Sequence, residues 1–229
     1  MPSWNIHIAH VERILDSEPL EELGITDSNT FLFGNVVPDI YVGYVVQPVT
    51  HKIPYKDTHF ADPTFVPTPD ASMFYRKYVQ GRAADDLTLG AWTHLICDHY
   101  YNLRTNEYIA RVGVQPGEET RIRKQSDFDM YGRTLDISKA PVLSDQIVRQ
   151  CAEFAQYPIY ERDVVETVRT TGDIVRKNVE DHVDSVPEYS LLTAEFFQRT
   201  FCEVDGVLRK ALHLHACGGD PSEIGRAQP

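Results

Sequence analysis

Apolar residues recur at intervals of three and four along most of the chain, the spacing of one helix face, and nothing alternates like a half-buried strand. The first helix is expected to start after Pro2 and Ser3 and run to about Leu15, with Ile8, Val11, Ile14 and Leu15 on one face. A short second helix over residues 17–23 stops at Gly24. Thr26-Asp27-Ser28 opens a third, which carries Phe31, Leu32 and Phe33 to Gly34. Later helical patterns cover about 70–80, 83–112, 118–137, 143–154, 160–182 and 190–214. The last buries Phe196, Phe197, Phe201, Val204 and Leu208. The pattern predicts an all-α fold: a single-domain bundle of six to eight helices over residues 1–216, with a flexible Gly- and Pro-containing tail over 217–229.

One stretch departs from this pattern. Residues 35–69 contain Pro38, Pro48, Pro54, Pro63, Pro67 and Pro69, too many for a long helix. An irregular excursion of that length inside a compact domain is uncommon and often functional. It carries Asp39, His51 and His59.

The chain has 229 residues and a formal net charge of −12. That balance argues against docking through a basic face on duplex nucleic acid or an anionic membrane. It leaves room for phosphate recognition through metal ions, which reverse the local sign. No apolar run approaches the roughly 20 residues of a membrane span, and no secretory signal is visible, so a cytoplasmic location is expected. The four cysteines form no CxxC pair and are expected to be buried free thiols.

The strongest local signal is Thr93-His94-Leu-Ile-Cys-Asp98. A His and an Asp four apart share a helix face and can reach one divalent ion inside a bundle. Such a pair is more often an intrahelical hydrogen bond or salt bridge. Here, however, it sits in an apolar run, where a lone carboxylate is costly without a cation. His7 is a second candidate, since it points closer to the apolar face than His10 does. Asp39, after Val37-Pro38, is a third; its bland reading is a turn cap. His59, in Asp57-Thr-His-Phe-Ala-Asp-Pro, is a fourth, and its bland reading is a loop histidine packed beside Phe60.

In order and residue type these segments resemble the zinc-dependent phospholipase C family, whose fold is shared by the single-strand-specific zinc nucleases. The likeness rests on His7-Ile-Ala-His-Val-Glu, Phe33-Gly-Asn-Val-Val-Pro-Asp39-Ile, Thr58-His59-Phe-Ala-Asp-Pro and Thr93-His94-Leu-Ile-Cys-Asp98, and carries little beyond Asn106. It implies that Asp39, His59, His94 and Asp98 ligate one Zn²⁺, and that Asp98 bridges to a second ion helped by His7. One or two ions are expected, with Mn²⁺ or Fe²⁺ also compatible with the donors. The implied activity is phosphoester hydrolysis on a phospholipid or other small phosphoester. Metal-activated water attacks phosphorus, and Asp39 is the catalytic proton acceptor.

The chain departs from the family's pattern in two places. The family's N-terminal Trp is a metal ligand, whereas Trp4 is internal. The histidines of a third metal are missing, since none lies between His99 and His182. Asn102, one turn beyond Asp98, and Asp127 or Asp129 are the remaining candidates for a further ligand. These gaps support an alternative, a catalytically inactive metal-binding or regulatory module of the same family. An HD-type phosphohydrolase fits less well, because the chain has no His-Asp dipeptide. His213, His215 and Cys217 are read as surface residues rather than a metal tract.

Overall fold

The computed structural model describes residues 2–226 and, over them, is all-helical. Eight helices have seven residues or more: α1 (Trp4–Ser17), α2 (Ser28–Gly34), α5 (Ala71–Tyr78), α6 (Asp86–Val112), α7 (Glu118–Gly132), α8 (Asp145–Ala152), α9 (Glu161–Glu180) and α10 (Ala194–Ala216). Two single turns, α3 (Val37–Ile40) and α4 (Tyr55–His59), lie in the excursion. The expected second helix is a 3-10 turn, Leu20–Leu23, stopped by Gly24 in the left-handed region.

Side-chain caps set most of the starts. Asp27, Asp70, Asp85, Ser144 and Thr193 each accept a hydrogen bond from the backbone N–H three residues on. Asp85 explains why α6 begins at Asp86 rather than 83. Its end comes at Gly113, whose left-handed conformation supplies the closing turn. α7 ends at Gly132, five residues short of the expected stop. Gly132 packs against Ser3, just before α1, and Asn5 of α1, and the following segment is captured by Glu12, whose carboxylate accepts from the N–H groups of Ser138 and Lys139.

α6 is the axis of the bundle. Every residue from Asp86 to His99 is buried, and α2, α3, α5 and α10 pack around it. The α2–α6 crossing is unusually close. A methyl group on Gly34 would overlap the Leu87 carbonyl, and one on Gly90 would overlap the carbonyl of Phe31. This approach brings Asn35 beside the His94 turn.

The excursion is far from loose. Val36, Val37, Ile40, Tyr41 and Val46 are fully buried. Asp163 of α9 ties the excursion down by accepting from Tyr41 Oη at 2.9 Å and from the Thr50 N–H at 3.0 Å. The tail also folds back. Ile224 packs on the main core, and the Gly225 carbonyl accepts from the Ser72 N–H. Of the tail expected to be flexible, residues 217–229, the last three lie outside the described residues. All four cysteines are free, but Cys202 and Cys217 are exposed where burial was expected. Among the described residues no helix is long and apolar enough to cross a membrane.

Candidate metal centre

Five side chains from four elements converge beside α6. α1 brings His7, α3 brings Asp39, α4 brings His59, and α6 brings His94 and Asp98. All are buried, and none of the five residues is more than 4 % exposed. His59 Nε2 lies 3.2 Å from His94 Nε2, 3.5 Å from Asp39 Oδ1 and 3.6 Å from Asp98 Oδ2. His94 Nε2 lies 3.9 Å from Asp39 Oδ2 and from Asp98 Oδ2. His7 Nε2 lies 3.2 Å from Asp98 Oδ1.

The tautomers of two imidazoles follow from their outer contacts. His94 Nδ1 faces the Asn35 carbonyl oxygen at 2.8 Å, which only accepts, so this nitrogen carries the proton. His59 Nδ1 faces Thr58 Oγ1 at 2.7 Å. That hydroxyl spends its own hydrogen on the Tyr55 carbonyl at 3.2 Å, so it accepts from His59. Both Nε2 atoms therefore present bare lone pairs to each other at 3.2 Å. Two lone pairs at that separation repel unless a cation lies between them. Outer hydrogen bonds of this kind are what orient metal-binding histidines.

Protonation is a poor substitute for a metal here. Burial, reinforced by the neighbouring charge of His94, pushes His7 down to about 4. Burial likewise pushes His59 down to about 3, against the opposing charge of Asp98. Burial alone raises Asp98, but the close approach of His7 and the surrounding imidazoles outweigh it and hold the group well below the usual carboxylate range. At neutral pH His7 and His59 are thus neutral beside an ionised, buried Asp98. Four of the cluster's atoms, His7 Nδ1 and Nε2, Asp39 Oδ1 and Asp98 Oδ1, are buried and make no hydrogen bond. Buried polar atoms are normally satisfied, and this concentration of exceptions matches the chemistry of a cation site. His7, His94 and Asp98 form one group of donors within 4.8 Å of each other, and Asp39, His59 and His94 form another.

The two groups differ in ring geometry. The His59 and His94 rings meet at 62°, so their lone pairs converge. The His7 and His94 rings are parallel within 4°, with centroids 4.1 Å apart, so theirs run side by side.

Two aromatic residues that sequence reasoning did not assign complete the site. Trp4 Nε1 donates to Asp39 Oδ2 at 2.9 Å. Tyr55 Oη donates to Asp98 Oδ2 at 2.8 Å, and its ring stacks on His59 at 3.8 Å. Burial and the charge of Asp98 raise the Tyr55 phenol well above its ordinary value, so it stays a donor. Each stands on the same helix face as a ligand, which is the one sequence signal that pointed to them.

Of the further candidates, Asn102 donates its Nδ2 to the Pro67 carbonyl at 2.7 Å and anchors the excursion, while its Oδ1 is buried and makes no hydrogen bond. Asp127 is a loop cap, accepting from the N–H groups of Ser190, Leu191 and Leu192, each at 2.7 Å. Asp129 accepts from Gln125 on its own helix at 3.2 Å. A carboxylate already holding three backbone donors has little left for a metal. His10 is as buried as His7 but turns away, stacking on Phe201 and reaching Tyr101 Oη at 3.2 Å. His213 pairs with Glu18, and His215 meets Tyr75 Oη at 3.3 Å, so neither points to the centre. Comparison of the chain with family models, curated proteins and solved structures yields no match, and the centre is interpreted from its own geometry.

Proposed function

We propose that the chain is a metal-dependent phosphoester hydrolase resembling the zinc-dependent phospholipases C, with one or two divalent cations held by His7, Asp39, His59, His94 and Asp98. The observation that carries this reading is the pair of proton-free Nε2 atoms 3.2 Å apart, flanked by two buried carboxylates. Imidazole and carboxylate donors favour Zn²⁺, with Mn²⁺ or Fe²⁺ as alternatives. An ion lies close to the plane of each imidazole it binds, so the parallel rings of His7 and His94 cannot serve the same one. The geometry therefore favours two ions, with Asp98 Oδ1 on the His7 side and Oδ2 facing His59 and His94.

Bound there, such cations supply Lewis acidity, which offsets phosphoryl charge and makes water more acidic. The chain's own contribution is orientation and proton acceptance. Asp39 Oδ1 makes no hydrogen bond and is the atom that takes the proton of attacking water. Trp4 keeps the opposite oxygen of that carboxylate in place. The test is elemental analysis of purified protein, followed by hydrolysis of bis(4-nitrophenyl) phosphate and short-chain phosphatidylcholine with and without chelator. Stoichiometric metal, lost in His94→Ala along with turnover, is expected. A metal-free protein at millimolar Zn²⁺ refutes the assignment.

One observation favours a second reading. The five ligands are buried, and a cavity of about 800 Å³ lies instead between α1, the segment after α7, α9 and α10. A sealed centre suits a metal-binding or regulatory module without turnover. Stoichiometric metal with no hydrolysis under Zn²⁺, Mn²⁺ or Co²⁺ selects it.

A further inference from the structure

α1 and α4 each deliver two groups to the centre from neighbouring turns. Trp4 precedes His7 by three residues and Tyr55 precedes His59 by four, so each pair shares a helix face. The aromatic member of each pair crosses to a carboxylate on another element. Trp4 reaches Asp39 of α3, and Tyr55 reaches Asp98 of α6. In both carboxylates the donor occupies Oδ2, while Oδ1 is buried and makes no hydrogen bond. A carboxylate with neither oxygen held rotates freely and changes between one- and two-oxygen binding. A donor fixed on one oxygen removes that freedom.

We propose that Trp4 and Tyr55 are positioning residues of the metal centre, holding Oδ2 of Asp39 and of Asp98 and so fixing the orientation in which each carboxylate meets the cation. The inference rests on the metal-binding part of the proposed function and needs no hydrolysis. It also explains how the elements are registered to each other. α1 supplies His7 and fixes Asp39, whereas α4 supplies His59 and fixes Asp98. No element can then shift without disturbing a ligand on another. The packing of Trp4 agrees with such a role, since the ring is buried with Val36 and Val46 rather than in the main core.

The test uses Trp4→Phe and Tyr55→Phe, which keep an aromatic ring and remove the donor. Tyr55→Phe deletes a single oxygen from a partly exposed side chain and keeps the test available if Trp4→Phe does not fold. Zn²⁺ affinity is measured by competition with a chromophoric chelator, and carboxylate binding is followed by the visible spectrum of Co²⁺. Each variant is expected to bind Zn²⁺ about 10–100-fold more weakly, the usual effect of losing an outer hydrogen bond to a ligand. The Co²⁺ bands are expected to change, which a merely structural role would not produce. Trp92→Phe is the control. Trp92 is fully buried, its Nε1 makes no hydrogen bond, and its ring lies against Tyr75. That variant keeps wild-type affinity and isolates Trp4 fluorescence, which responds to Zn²⁺. Affinities within twofold of wild type and unchanged Co²⁺ spectra in both variants overturn the proposal while leaving the metal centre intact. Failure of the wild-type chain to bind Zn²⁺, Mn²⁺ or Co²⁺ overturns the metal centre as well.

Discussion

Proton competition gives a quantitative test of the centre. A histidine ligand must be neutral, so affinity falls once pH drops below its own pKa. An imidazole at the ordinary value of about 6.5 loses roughly 25-fold in affinity between pH 7 and pH 5, and two together lose about 600-fold. Burial changes the size of the expectation for this chain. With His7 lowered to about 4 and His59 to about 3, the same acidification costs this pair roughly 1.1-fold. Asp98, held well below the carboxylate range, stays ionised over the whole interval. The part of the pH dependence of Zn²⁺ or Mn²⁺ affinity that comes from His7 and His59 is therefore nearly flat from pH 7 to pH 5 and steepens only near pH 4. Folding without metal should behave differently. The unfolded chain takes up protons on these histidines from about pH 6.5 downward while the folded one does not, so metal-free stability falls over that range. Competition titration at pH 7, 6 and 5, with circular dichroism to confirm folding, measures both effects. A loss of affinity beyond about a hundredfold by pH 5 refutes the claim that His7 and His59 are held neutral by burial.

Other perturbations separate the parts of the structure. Thr58→Val removes the acceptor of the His59 Nδ1 proton and is expected to weaken Zn²⁺ binding about 10-fold or more with little change in melting temperature, checked by calorimetry. Asp127→Ala leaves three backbone N–H groups before α10 without their acceptor. It is expected to cost about 2–4 kcal/mol, or roughly 5–15 °C in melting temperature, with Zn²⁺ affinity unchanged. A drop in affinity there would return Asp127 to the ligand set. Gly90→Ala drives a methyl group into the Phe31 carbonyl at the α2–α6 crossing and is expected to destabilise by at least about 2 kcal/mol in a urea titration. An unaffected variant would show that the crossing has slack.

Much of the bundle is readable from periodicity, because helix formation and helix ends are local matters. α6 was expected over 83–112 and occupies Asp86–Val112, differing only by the Asp85 cap. The spacing of His94 and Asp98 places them on one face whatever surrounds them. The excursion was harder. Its six prolines rule out a long helix, yet they did not reveal that single turns at Val37–Ile40 and Tyr55–His59 would present Asp39 and His59. Asp127 illustrates the opposite case. Its residue type suits a metal, but three backbone N–H groups distant in sequence claimed it first.

The sequence by itself determined the all-helical class, the positions of the long helices and which His and Asp could share a helix face, since each follows from interactions within one or two turns. Only the tertiary structure decided that four elements meet, that Trp4 and Tyr55 hold the carboxylates, and that His59 and His94 present bare nitrogens to each other. Those outcomes depend on the close passage of Gly34 and Gly90 and on contacts between residues 35 or more positions apart. Hydrogen bonds of that range are set by how helices pack, and a linear pattern carries no record of the distance between two helix faces.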